Sequence, residues 1–200
     1  MPQGRSGLTS LTAPNMVLDA GSVYLNIDLT ALEDASASDP WADAIAGSTV
    51  ISLGGTRGGN VYRANRTIRQ MPVDGAIGPV KGFARRQTVA PTLTTNLVEV
   101  TDDNLIRSLA GANSSVVGSF TKVTGGEIED TDYITNVALA TTLKGADQPF
   151  VIVLQNCLVL ESPEMSFTDE NELVMAVTFT AHVLSTAPNT EAAFIYHPTV

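Results

Sequence analysis

Apolar and polar residues alternate with a period of two along much of this chain, the signature of half-buried β-strands. Over 173–181, Leu173, Met175, Val177, Phe179 and Ala181 form one row, with Val174, Ala176, Thr178 and Thr180 forming the other. Residues 133–143 repeat the pattern, setting Tyr133, Val137, Leu139 and Leu143 against Asn136, Ala138, Ala140 and Thr142. Residues 150–160 are rich in β-branched side chains and predict a long, well-buried strand. Further strands are expected at 22–28, 48–53, 66–74, 80–89, 91–100 and 115–123, punctuated by Gly, Pro, Asp and Asn. So many strands without alternating helices predict a mainly β chain, an antiparallel sandwich or barrel.

One helix is expected at 102–110. Thr101 is a good N-cap, Asp102 and Asp103 suit the positive end of the helix dipole, and Gly111 supplies the stop. Leu105, Ile106 and Leu109 would form its apolar face, with Val100 stapled onto Leu105. A shorter helical turn is expected at 40–46, with Asp39 as cap, Pro40 at the first position and Gly47 as terminator. No linker or repeat divides the chain, so a single domain over 1–200 is expected. From Gly54 to Lys81 the pattern changes: two glycine-bearing corners, 54–60 and 74–79, flank a polar, arginine-bearing stretch. That predicts a hairpin or long loop, at about 54–86, that leaves the body of the domain.

Composition sharpens this picture. The 200 residues are 44% hydrophobic, enough for one sizeable core. The longest apolar runs, such as Val151-Ile152-Val153-Leu154, fall far short of the ~20 residues of a membrane helix. The first five residues lack the apolar core of a signal peptide. The formal charge is -10, which disfavours generic nucleic-acid binding.

The distribution of charge says more than its sum. Residues 57–86 hold seven of the eleven basic groups (Arg57, Arg63, Arg66, Arg69, Lys81, Arg85 and Arg86) and one acid, Asp74, a local charge of +6. Residues 1–56 hold one base and six acids, and residues 87–200 three bases and fourteen acids. Three readings follow. The basic and acidic surfaces face each other within one fold, or the basic segment projects and meets the acidic surface of another copy, or it is a nucleic-acid-binding arm. The last lacks aromatic interleaving, with only Tyr62 and Phe83 nearby.

Candidate chemistry is sparse. The glycines at 54–59 lack the Lys-Ser/Thr of a phosphate loop and the spacing of a dinucleotide fingerprint. The single cysteine, Cys157, excludes an intrachain disulfide and a Cys-based zinc site, and its strand position predicts a buried structural thiol. His182 is expected on the polar face of its strand and His197 lies near the C-terminus, so neither sits as a catalytic partner. The acidic runs 127–132 and 169–172 lack EF-hand spacing and read as solvated turns. The sequons at Asn65 and Asn113 carry meaning only on a secretory route. Neither an enzyme nor a cofactor is expected.

The run Leu53-Gly54-Gly55-Thr56-Arg57-Gly58-Gly59-Asn60 is followed by Arg66-Thr67-Ile68-Arg69, then Val73-Asp74-Gly75-Ala76-Ile77-Gly78-Pro79-Val80-Lys81-Gly82. Next comes Pro91-Thr92-Leu93-Thr94-Thr95-Asn96-Leu97-Val98-Glu99, leading into the Thr101-capped helix. This ordered series, over roughly 48–110, resembles the major tail tube proteins of long, non-contractile-tailed bacteriophages. The resemblance implies a β-sandwich or partly open barrel with one flanking helix and a long loop reaching a neighbouring ring. It also implies a structural virion protein that forms hexameric rings, stacked as the hollow tube through which viral DNA leaves. The implied partners are other copies of the chain, a tape measure protein in the lumen, and terminator and tip proteins at the ends. Arg57, Arg63, Arg66, Arg69, Lys81, Arg85 and Arg86 would then contribute to contacts between subunits or rings, against acidic patches drawn from 99–172. Part of the acidic excess would line the lumen, so that DNA slides past without specific binding. The alternatives are another self-assembling virion part (tail terminator, head–tail connector or decoration protein) or a carbohydrate-binding β-sandwich. The latter has few aromatics to draw on, and Trp41 is expected to be buried in its helical turn.

Overall fold

The computed structural model describes residues 9–199 apart from 11, 168, 170 and 171. The signal-peptide reading of residues 1–5, and part of the acidic turn 169–172, lie outside the described residues. In chain order the elements are β1 (Ser22–Leu25), α1 (Leu29–Leu32), α2 (Pro40–Ile45), β2 (Ile51–Ser52), β3 (Val61–Arg63), β4 (Arg66–Gln70), β5 (Ala84–Val89) and β6 (Thr92–Leu97). These are followed by α3 (Asp102–Ser108), β7 (Ala112–Val117), β8 (Phe120–Gly125), β9 (Ile134–Thr141), β10 (Phe150–Val159), β11 (Glu164–Ser166), β12 (Val174–Ala181) and β13 (Ala193–Tyr196). The fold is mainly β and antiparallel.

Nine strands of the described residues form one sheet, in the order β2-β1-β9-β10-β12-β6-β3, with β13 also paired to β10 and β11 to β12. The long strand β10 turns this sheet. Its residues Val151 to Leu154 pair with β13 and Cys157 to Val159 with β12, while β9 runs along its other edge. Asn156 sits at the switch with φ 48°, a left-handed conformation that Asn tolerates better than most residues. Its side-chain amide donates to the His182 carbonyl at 3.3 Å, and the His182 N–H donates to the Gln155 carbonyl at 3.2 Å.

Both halves of the turned sheet face one core. Val23, Leu25, Val137, Leu139, Ile152 and Leu154 from one half meet Leu93, Leu97, Met175, Val177 and Phe179 from the other. Burying a side chain the size of Phe179 or Leu154 stabilises by about 1.5–3 kcal/mol. The sheet does not close: β2 and β3 end the path without pairing to each other.

The row Ala138 and Ala140 on β9 is also buried, with Val151 and Val153, under Leu29, Leu32, Trp41 and Ile45 of α1 and α2. Alanines on that row let the helices approach closely. Asp28 caps α1, accepting from the Thr30 and Ala31 N–H groups at 2.8 and 3.2 Å, and Asp39 caps α2 through Ala42 N–H at 3.1 Å. Trp41 is half-buried with its ring edge-on to Tyr24.

Several expectations change. The helical turn expected at 40–46 is α2, with Asp39 as its cap. The resemblance implies one flanking helix, but the described residues hold three α-helices, α1 being the unexpected one, and α1–α2 rather than α3 cover the outer face of the sheet. Helix α3 is capped by Thr101, accepting from Asn104 N–H at 3.1 Å, but it ends at Ser108 rather than at 110. Its buried positions are Asn104 and Ser108, because Asn104 donates to the Leu53 and Glu99 carbonyls at 3.3 and 2.9 Å. Of the expected apolar face, Leu105 packs on the core, and Ile106 and Leu109 are half-buried. The strand expected at 115–123 is a hairpin, β7–β8, turning at Gly118-Ser119. Gly118 has φ 62° and Ser119 does not share it, as a II′ turn requires.

Candidate functional site

The basic band does not form one continuous arm. Its first part, 54–63, lies on the body. Gly54 turns with φ 81° against the Glu99 carboxylate, where a Cβ would collide, and the Gly55 N–H donates to Glu99 Oε1 at 2.7 Å. The corner thus cradles an anion from its own chain. Thr56 bridges to Leu97, the Arg57 N–H donates to the Asn96 carbonyl at 2.9 Å, and β3 adds to the edge of β6. Arg57 and Arg63 are therefore body residues, which corrects the arm boundary from 54–86 to the hairpin formed by β4, β5 and their connection.

That hairpin is a two-stranded sheet separate from the main one. Among the described residues, strands β4 and β5 pair only with each other, and all but Val89 among their residues are exposed. Their register sets Ile68 opposite Arg86, Arg69 opposite Arg85 and Gln70 opposite Ala84, with a bulge at Thr67/Ile68. The connection, 71–83, opens with Met71 N–H donating to the Phe83 carbonyl at 3.0 Å and carries Lys81 and a fully exposed Ile77.

Charge divides the arm's two faces. Arg66 and Arg86 share one acid, Glu191, which precedes β13. Arg66 approaches it at 3.3 Å, and Arg86 makes a closer pair. Arg69 and Arg85 lie on the other face and, like Arg63 and Lys81, have no ion-pair partner among the described residues. Arg57 pairs with Glu172, whose own N–H, together with the Arg57 guanidinium, holds its carboxyl below the usual range. Part of the basic band is thus neutralised within the chain, as the one-fold reading has it, and part is not. The acid serving the arm is Glu191, outside the expected 99–172.

Sequence reasoning missed a second projecting hairpin. Among the described residues, strands β7 and β8 pair only with each other, and near their turn Val116, Val117 and Phe120 are exposed. The Gly-Ser pair between two β-branched runs was the available signal.

Among the described residues, the remaining chemistry-bearing side chains do not converge. Cys157 is fully buried, and burial pushes its thiol up to about 12, so it is held as a thiol and not as a nucleophile. His182 is half-buried, with its ring edge-on to Tyr133 and Nδ1 at 3.2 Å from the Asn156 carbonyl; His197 instead meets Phe150. In the acidic run 127–132, Glu129 and Asp132 cap a 3₁₀ turn, with Glu129 N–H donating to Asp132 Oδ2 at 2.7 Å. No helix among the described residues is long and apolar enough to cross a membrane. The chain matches no protein-family model and no curated protein.

Proposed function

We propose that this chain is a self-assembling structural subunit, of the kind that stacks as hexameric rings into a phage tail tube and so forms the conduit for DNA. The observation that carries the reading is the arm: a hairpin with a sheet of its own, presenting Arg69 and Arg85 side by side with no ion-pair partner among the described residues. A subunit of net charge -10 offers such a pair many carboxylates on a second copy, and opposed potentials fix register between copies. The exposed apolar side chains Ile77 on the arm and Val116 and Phe120 on the second hairpin add unpartnered surface of the kind that marks interaction sites. Contacts between unlike surfaces of identical chains propagate, closing into rings or extending as filaments. In such a tube the acidic remainder of the chain lets DNA pass, because its walls do not exchange counterions with phosphate.

Negative-stain microscopy of the purified protein tests the proposal. Hollow tubes that grow spontaneously support it. Closed rings alone point to a connector or terminator instead, and a protein that stays monomeric at all concentrations contradicts self-assembly.

A further inference from the structure

Among the described residues the arm's ion pairs to its own body converge on Glu191, and the chain beside that point is sharply kinked. On one side Asn65 adopts φ 36°, a backbone region that few non-glycine residues occupy. Its carbonyl accepts from Ala90 N–H at 3.2 Å, and its side-chain amide donates to Thr92 Oγ1 at 3.1 Å. On the other side, the Pro91 carbonyl accepts from Ala181 N–H at 2.9 Å, which fixes the chain to β12. Beyond these anchors the arm does not pack tightly on the body. A cleft of about 370 Å³ separates β5 residues from the 183–192 loop. Glu191 closes that cleft by accepting from Arg66 and Arg86 on neighbouring strands.

We propose that Glu191 is a latch that holds the arm docked on its own subunit, and that the arm swings about Asn65 and Ala90 when the latch opens. One carboxylate serves two guanidinium groups, so its loss frees both at once. The side chains are 35% to 52% exposed, so the pairs are open to screening and to exchange for carboxylates of another molecule. The docked arm then engages Arg66 and Arg86 in ion pairs while leaving Arg69 and Arg85 without one among the described residues. The latch concerns the isolated subunit and stands whatever the subunit assembles into.

The test is a distance measurement in the monomer. Spin labels at Ala76→Cys and Thr186→Cys report the arm-to-body distance, and the buried native Cys157 does not compete for label. The latch predicts a narrow distance distribution at about 0.01 M salt, where the Debye length is ~30 Å, that broadens at about 1 M, where it is ~3 Å. It predicts a broad distribution at both salts for Glu191→Gln. The triple swap Arg66→Glu, Arg86→Glu and Glu191→Arg restores the narrow, salt-sensitive peak, while Arg69→Gln leaves it unchanged. A Glu191→Gln distribution as narrow as that of the native chain at low salt, or a triple swap as broad as Glu191→Gln, overturns the latch.

Discussion

Arg69 on β4 stands directly opposite Arg85 on β5, two like charges on one face of an exposed hairpin with no ion-pair partner among the described residues. Directly opposed like charges cost a hairpin stability, and opposite charges stabilise it by about 0.2–1 kcal/mol. Replacing one member, Arg69→Glu, therefore leaves the free subunit as stable as before or slightly more so. If the pair serves contacts between copies, the same change blocks assembly. Thermal unfolding and sedimentation of the variant read the two effects separately.

Asn136 continues the β9 ladder past the end of β1. It is buried, and its amide both accepts from the Ile27 N–H and donates to the Ile27 carbonyl, each at 2.9 Å. Asn136→Ala strands two buried backbone groups, each worth about 1–3 kcal/mol when left unsatisfied. Urea unfolding is expected to show a loss of about 2–6 kcal/mol on that basis. A loss below about 0.5 kcal/mol, the range of surface substitutions, would show that water replaces the amide.

Asp19 ties the segment before β1 to the end of β9. Its carboxylate accepts from Thr141 Oγ1 at 2.5 Å and from Thr142 N–H at 3.2 Å, and these bonds hold its carboxyl below the usual range. The folded value thus lies below the unfolded one of about 4. The stability Asp19 contributes is fully present above that unfolded value and is lost as pH falls through the lower folded one. A pH series of unfolding midpoints is expected to show that decline in the native chain and a flatter profile in Asp19→Asn.

The buried Cys157 thiol is expected to resist alkylation in the folded chain at pH 8 and to react promptly in urea, because both deprotonation and access wait on unfolding. Mass spectrometry of iodoacetamide-treated protein measures this directly.

Parts of this architecture are plain in the sequence because one physical variable controls them. On β12 the alternation tracks burial residue by residue, since only one face of that strand meets the main core. On β9 the same alternation is present, but both faces are buried; nothing in Ala138 or Ala140 says that helices cover them. Helix α1 is a single turn set by Asp28, too short for any periodicity to develop. The Thr101 and Asp39 caps were legible because capping is local. The arm's limits were not: Arg57 and Arg63 belong to the body through strand pairing with β6, which charge counting cannot see. Glu191 escaped notice because it is an isolated acid, brought to Arg66 by a contact spanning 125 residues.

The central claim is that this subunit joins its own kind through the unpaired face of its arm. The most direct measurement is negative-stain microscopy of the native chain and of Arg69→Glu with Arg85→Glu across a salt series. The account predicts hollow tubes from the native chain that shorten as salt rises, and none from a folded double variant. Full-length tubes from that double variant at physiological salt would contradict it.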